Sequence, residues 1–175
     1  MDLDRPPAPD PYDYLPETDP LHVSSEDFAD GGPLPESAGA AGGNTSPQLS
    51  WGGAPGAAAA YLVTCYDPDA PVAGGFRHWA VLVPGSTTSL PAGAGGGGDA
   101  GLPEGAVTLR NDNGDHEFGG AAPPEGDRAH RYIFAVTALD TADHGLDADT
   151  SFAKAQFATL GNVVARGTVT GTFQL

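Results

Sequence analysis

The sequence is poor in lysine and cysteine, and each shortage excludes a class of protein. Lys154 is the only lysine in a chain of 175 residues with a formal net charge of −16. An anionic surface repels nucleic acid and anionic membranes, so neither is an expected partner. The single cysteine, Cys65, excludes an internal disulfide. Because Cys65 lies within an apolar run, we interpret it as a buried small hydrophobic residue.

Long apolar runs are also missing. No run reaches the roughly 20 residues that a helix needs to cross a bilayer, so we expect no stable membrane insertion. The first residues lack the basic segment and the apolar stretch of a signal peptide. The expected compartment is therefore the cytoplasm.

Acidic residues, glycine and proline are abundant. The chain has 26 glycines, 17 prolines and 39% hydrophobic residues, which is enough apolar material for one domain at this length. Glycine and proline at frequent turns favour many short strands. Abundant acid with one lysine is typical of proteins from a salt-rich cytoplasm, so we expect a halophilic protein. The alternative is an acidic protein from a GC-rich genome.

The chain divides into an arm and a domain. Residues 1–20 are rich in proline and acid and contain little to bury, which predicts an extended or loosely docked arm. Tyr12, Tyr14 and Leu15 are the side chains that would attach it to the remainder. Residues 21–175 are predicted to form a single domain.

Apolar segments between turns predict the strands of this domain. The runs at 59–66, 76–83 and 131–139 are apolar on both faces and should be central. Shorter strands are expected at 21–25, 48–51, 107–110 and 162–173. One helix is predicted after residues 149–151, with Phe152, Gln156, Phe157 and Leu160 at helical spacing and Gly161 at its end. The pattern indicates a mostly β protein, an antiparallel β-sandwich with one or two peripheral helices.

Two aspartates, Asp67 and Asp69, surround a proline at the exit of a predicted central strand. Proline restricts both its own backbone and that of the preceding residue, so the two carboxylates should be rigidly held. An ordinary Asx–Pro turn is the alternative interpretation.

Two histidines follow at the starts of later strands. Alternation places His78 and Trp79 on opposite faces, and it places His130 and Tyr132 on the same face with Arg131 pointing away. We expect Arg131 to form a structural ion pair with Asp69 or Asp140. The glycines and prolines of residues 119–124 should leave backbone N–H groups open to a ligand.

Together these segments resemble the phosphatidylethanolamine-binding protein family, also called Raf kinase inhibitor-like proteins, in its bacterial and archaeal branch. The resemblance covers about residues 21–173 and rests on SPQLSW (46–51), DPDAP (67–71), GFRHW (75–79), PPEGD (123–127), HRYIF (130–134) and GTVTGTF (167–173).

The resemblance implies a Greek-key sandwich with a pocket for phosphate, phosphorylated headgroups and similar anions. The implied ligand-binding residues are Asp67, Asp69, His78, Gly120, Pro123, His130 and Tyr132. Neither a cofactor nor a metal is implied. The family's second name suggests a regulatory role on a kinase or protease, and relatives in this branch are often homodimers. Phe118 stands where tyrosine is usual, which would remove one hydroxyl from the pocket rim.

An aspartate beside an anion site requires an explanation. A carboxylate raises the pKa of a neighbouring histidine and favours the doubly donating imidazolium. We therefore expect a non-enzymatic protein in which imidazolium, backbone N–H groups and a tyrosine hydroxyl bind the anion. The alternative is a hydrolase or a metal-binding enzyme that uses the same aspartates and histidines.

The charge of −16 generates a first prediction. Added salt screens the repulsion between carboxylates, so the melting temperature should rise between dilute buffer and molar KCl. Thermal unfolding followed by circular dichroism measures this. An unchanged melting temperature would contradict the halophilic interpretation.

Overall fold

The computed structural model describes residues 3–54, 56–97 and 101–175, and within these ranges it is built mainly of β-strands. One α-helix and four short 3₁₀ turns accompany them. The strands are β1 (Asp19–Pro20), β2 (His22–Ser24), β3 (Leu49–Gly52), β4 (Ala60–Asp67), β5 (Phe76–Pro84), β6 (Ser89–Leu90), β7 (Val107–Thr108), β8 (His130–Leu139) and β9 (Val163–Phe173), and the helix is α1 (Phe152–Thr159).

The strands form two sheets. The larger has the order β1-β9-β8-β4-β5-β7, and the smaller has the order β2-β3-β6. Neighbouring strands are antiparallel except for β1, which lies parallel to β9. The predicted mostly β fold is confirmed. The three long apolar runs became β4, β5 and β8, which adjoin one another in the larger sheet.

The apolar residues of the central strands are divided between two cores. Trp51 of the smaller sheet belongs to the same buried cluster as Trp79 and Phe134 of the larger sheet. Leu62 and Leu82 lie in a second cluster with Phe152 of α1. Alternation sends successive side chains to opposite faces, so strands that are apolar throughout need a cover on each face.

Helix α1 lies at the predicted place, but its buried face only partly matches the apolar spacing. Ser151 is its N-cap, and the Ser151 hydroxyl accepts a hydrogen bond from the Lys154 N–H at 3.3 Å. Phe157 is 81% exposed, and the buried positions are Phe152, Ala155 and Thr159. The apolar spacing therefore identified Phe152 but not Ala155 and Thr159, because small residues contribute little to a hydrophobic pattern yet permit close packing on a sheet.

Residues 3–20 dock more closely than a loose arm would. They include a 3₁₀ turn at Pro11–Tyr14, followed by β1, which runs beside β9. The Tyr12 hydroxyl lies 3.3 Å from the Thr64 hydroxyl, so Tyr12 attaches the arm as expected. Tyr14 is 75% exposed and does not attach it. Contacts of Arg5, Arg128 and Arg131, which the sequence pattern did not indicate, also anchor the arm.

A glycine in β9 generates a second prediction. A Cβ at Gly167 would lie 1.9 Å from the Leu21 carbonyl oxygen, whereas a Cβ at Gly52 would meet no atom within 4 Å. Gly167→Ala should therefore lower the free energy of unfolding by about 2 kcal/mol or more. Gly52→Ala should change it by about 0.5 kcal/mol or less. Urea denaturation at constant KCl compares them, and equal effects would contradict the close approach.

Candidate functional site

A cavity of about 480 Å³ opens at one end of the larger sheet. Strand β4 runs antiparallel to both β5 and β8, so the end of β4 lies beside the starts of its two neighbours. This alignment brings the aspartates of DPDAP (67–71) to the histidines. The cavity is lined by Ala40, Asn44, Asp67, Ala70, Pro71, Val72, Phe76, His78, Asn113, Asp115, Glu117, Gly119, Gly120, Ala122, Pro124, His130 and Tyr132.

Five of the seven predicted ligand-binding residues line this cavity: Asp67, His78, Gly120, His130 and Tyr132. The other two, Asp69 and Pro123, do not line it. Pro123 is buried beside lining residues on either side.

Asp67 is buried and holds the corner of the chain that leads into the cavity wall. Its Oδ1 accepts hydrogen bonds from the N–H groups of Asp69 at 2.7 Å and Ala70 at 3.0 Å. Its Oδ2 lies 2.8 Å from His130 Nδ1. The Asx turn and the histidine partner, which were alternatives on the sequence, are therefore both present in one carboxylate.

His130 is 1% exposed and lies between two carboxylates. Its second nitrogen, Nε2, is 2.9 Å from Asp127 Oδ2. With both carboxylates ionised, each ring nitrogen must donate, so the ring is an imidazolium. Burial lowers the pKa of His130, but the hydrogen bonds that its ring donates to Asp67 and Asp127 outweigh burial and raise the pKa above its ordinary value.

Asp127 is a site residue that the sequence reasoning missed. It lies within PPEGD (123–127), three residues before His130, but one loop aspartate among 23 acidic residues gives no distinct signal. Its carboxylate also accepts hydrogen bonds from Arg5 Nη1 at 3.2 Å and Nη2 at 2.7 Å. Hydrogen bonds from Arg5 and His130 hold the pKa of Asp127 well below its usual range.

Asp69 contacts Ala8 of the arm and forms an ion pair with Arg131 of β8. Its Oδ2 accepts from Arg131 Nε at 2.8 Å, and its Oδ1 accepts from Arg131 Nη2 at 3.0 Å. This confirms the ion pair expected for Arg131 and selects Asp69 over Asp140, which instead accepts from Asn162. The turn directs the two carboxylates to different partners, and Asp69 does not line the cavity.

His78 differs from His130 in having one ring nitrogen without a hydrogen bond to any described residue and a lowered pKa. Its Nδ1 lies 2.7 Å from the Gly119 carbonyl oxygen, which can only accept, so Nδ1 carries the proton. In the neutral ring Nε2 is therefore unprotonated, and it makes no hydrogen bond within the described ranges. Burial lowers the pKa of His78, although the Gly119 bond and the charge of Asp67 oppose this effect.

Three of the backbone N–H groups in the Gly/Pro turn are already hydrogen-bonded within the protein. The N–H groups of Gly119, Gly120 and Ala121 donate to the His78 carbonyl, Asn44 Oδ1 and the Ala38 carbonyl, respectively. A Cβ at position 120 would lie 2.4 Å from Asn44 Oδ1. Glycine is therefore required at position 120 by the close approach of the loop.

Tyr132 supplies the open donor. Its buried hydroxyl lies near the backbone of Ala122 but has no partner in hydrogen-bonding geometry among the described residues. Burial raises the pKa of Tyr132, so the hydroxyl keeps its proton. Phe118, by contrast, is 1% exposed and stacks on Phe134 in the core. Phe118 is not among the residues that line the cavity.

The remaining wall is mixed in character. Asp115 and Glu117 supply acid, and Val72 and Phe76 supply apolar surface. None of the lining residues is a serine, threonine or cysteine.

Across residues 3–54, 56–97 and 101–175, no group of three or more His, Cys, Asp or Glu side chains is arranged to hold a metal ion. The same ranges contain no helix of the length and apolarity that crossing a membrane requires.

Comparison with known proteins gives consistent results for sequence and structure. The chain is 43% identical to YbcL of Escherichia coli over 78% of its length and 75% of that protein. It is 40% identical to YbhB of the same organism over 87% of its length and 99% of that protein. A Mycobacterium tuberculosis relative, 36% identical over 73% of this chain and 59% of its own length, carries the word lipoprotein in its name.

The crystal structure of Escherichia coli YbcL superposes with a TM-score of 0.85 at 39% identity, covering 89% of this chain and 98% of that one. That structure is described as a member of the mammalian PEBP family. The family model described as phosphatidylethanolamine-binding protein matches residues 24–174. This chain therefore belongs to the phosphatidylethanolamine-binding protein family.

Proposed function

We propose that this chain is a non-enzymatic binding protein whose cavity accepts a small phosphoryl group, such as phosphate or a phosphorylated headgroup. The observation that carries the proposal is a buried tyrosine hydroxyl without a partner, Tyr132, at a cavity that also contains the open Nε2 of His78. A buried donor without a partner is costly, and an anionic oxygen would satisfy it.

The charges of the cavity wall favour this ligand more than the net charge of the chain suggests. The imidazolium of His130 and the guanidinium of Arg5 balance the carboxylates of Asp67 and Asp127. A bound anion therefore meets little net repulsion from this wall. Protonation of His78 would add a positive charge and a second donor at Nε2.

Two further acidic side chains in the cavity wall limit the charge of the ligand. Asp115 and Glu117 line the same cavity, and their carboxylates repel a free dianion. A monoanionic phosphoryl group, or one joined to a cationic group, suits this arrangement better. The apolar surface of Val72 and Phe76 leaves room for a short carbon linker.

A hydrolase is the second candidate because the array of Asp67, His130 and Asp127 has the components of an acid–base relay. Both nitrogens of His130 are bonded to carboxylates, however, so neither is available to take a proton from a nucleophile. The lining residues also lack a hydroxyl or thiol nucleophile other than the Tyr132 phenol. These contacts favour binding over catalysis.

A protein target would be recognised through the same chemistry. A phosphorylated side chain presents the same oxygens to Tyr132 and His78 as a headgroup does.

We assign the chain to the cytoplasm on its sequence. Fractionation of cells that express the full-length protein tests that assignment.

The titration of His78 gives a third prediction. Its pKa is lowered, so the ring is neutral at pH 8 and gains its second proton as pH falls through that lowered value. Besides Asp67 and His130, the charge of Asp112 acts on the ring, and the rings of Phe76 and Tyr132 pack against it. Anion binding measured by calorimetry at constant KCl should therefore tighten as the pH is lowered from 8 to 5, a range that extends well below the ordinary histidine pKa of 6.5.

Sulfate must be titrated beside phosphate, because sulfate keeps its charge over this range and isolates the protein's own titration. Tyr132→Phe should weaken binding about five- to tenfold, the effect of one hydrogen bond. His78→Gln should remove most of the pH dependence, whereas the control His22→Gln, which alters an exposed histidine outside the cavity, should retain it. Equal sulfate affinity at both pH values would contradict the role of His78, and turnover of phosphate esters would favour the hydrolase.

A further inference from the structure

The arm contacts the cavity wall from behind. The family model begins at residue 24, so the arm lies outside the range it matches. Arg5 nevertheless lies within 3.4 Å of His130 Nε2 and 2.7 Å from Asp127 Oδ2. Arg5 does not line the cavity, so it acts on the cavity only through these two residues.

Several arginine contacts hold the arm in this place. Arg5 Nη2 donates to the Asp69 carbonyl at 2.6 Å. Arg128 Nη1 donates to the Arg5 carbonyl, and Arg131 Nη2 donates to the Ala8 carbonyl, both at 2.5 Å. Three of the chain's six arginines thus meet at this junction. Polar contacts thus hold residues 5–8 of the arm beside Asp69, Arg128 and Arg131.

The charge of the wall depends on whether the arm is docked. Asp67, His130 and Asp127 together carry a net charge of −1 when the ring is protonated, and Arg5 brings the set to zero. Without Arg5, Asp67, His130 and Asp127 keep their net charge of −1, which repels an anion in the cavity.

We propose that docking of the arm and anion binding in the cavity are coupled, with Arg5 as the positioning residue that joins them. The inference rests on the proposed function, because the ligand is the phosphoryl group assigned there. Coupling between two binding events is reciprocal. The docked arm therefore strengthens anion binding, and a bound anion strengthens docking of the arm by the same factor.

Three variants of the full chain test the first half of this coupling. Arg5→Gln removes the charge, and Arg5→Lys keeps it. Lys154→Gln is the control, because it makes the same change in net charge at an exposed position on α1. Phosphate titration by calorimetry at pH 6 and constant KCl should show binding weakened about five- to tenfold in Arg5→Gln. Binding should be largely retained in Arg5→Lys and unchanged in Lys154→Gln.

Limited proteolysis tests the reciprocal half. Chymotrypsin can cut after Tyr12, whose hydroxyl lies 3.3 Å from the Thr64 hydroxyl, and cutting there requires the arm to leave the domain. Saturating phosphate should slow this cleavage about fivefold in the wild-type chain and hardly at all in Arg5→Gln. A purely structural role for Arg5 would speed cleavage in the variant without making it insensitive to phosphate.

The outcomes separate the two proposals. If the wild-type chain binds phosphate but Arg5→Gln binds it equally well, or if phosphate leaves the cleavage rate of the arm unchanged, the coupling is wrong and the proposed function stands. If Lys154→Gln weakens binding as much as Arg5→Gln, the effect is one of net charge and the coupling is again wrong. If the wild-type chain binds neither phosphate nor sulfate, the proposed function fails and the coupling fails with it.

Discussion

The site depends on one buried positive charge. His130 is an imidazolium enclosed by protein, and a charge in that setting must be paired and hydrogen-bonded to persist. Asp67 and Asp127 supply the pairing, and they bring an excess negative charge that Arg5 cancels. The end of β4, the Gly/Pro turn before β8 and the arm are therefore fixed relative to one another by a single ionic array.

The two histidines differ in their protonation and in whether a ring nitrogen is free to bind a ligand. His130 keeps its proton because carboxylates hold both nitrogens, and for the same reason it has no donor left for a ligand. His78 donates to a carbonyl and keeps its other nitrogen open, but burial favours the neutral ring. The ligand that we propose would thus meet fixed charge from one histidine and a pH-dependent donor from the other. The expectation of one aspartate–histidine pair that binds the anion directly combined these two roles.

Local patterns predicted the parts of the fold that local sequence controls. Strands β4, β5 and β8 were recognisable because each is long and apolar on both faces. Strands β1 and β6 were missed because a pairing of two residues leaves no periodic signal. The buried face of α1 was identified only in part because a sheet nearby selects small residues, while the exposed Phe157 dominates the apolar spacing.

The sequence by itself determined the fold class, the central strands, the family and the alternation that separates His78 from Trp79 and Tyr132 from Arg131. Tertiary structure alone decided which partner each ionisable group has. Asp67 and His130 are 63 residues apart, and Arg5 and Asp127 are 122 apart, so no local spacing relates them. Asp67 and Asp69 are two residues apart, yet the turn between them sends one carboxylate to His130 and the other to Arg131. Backbone preferences act over a few residues, whereas charge pairing acts through space, which only the folded chain defines.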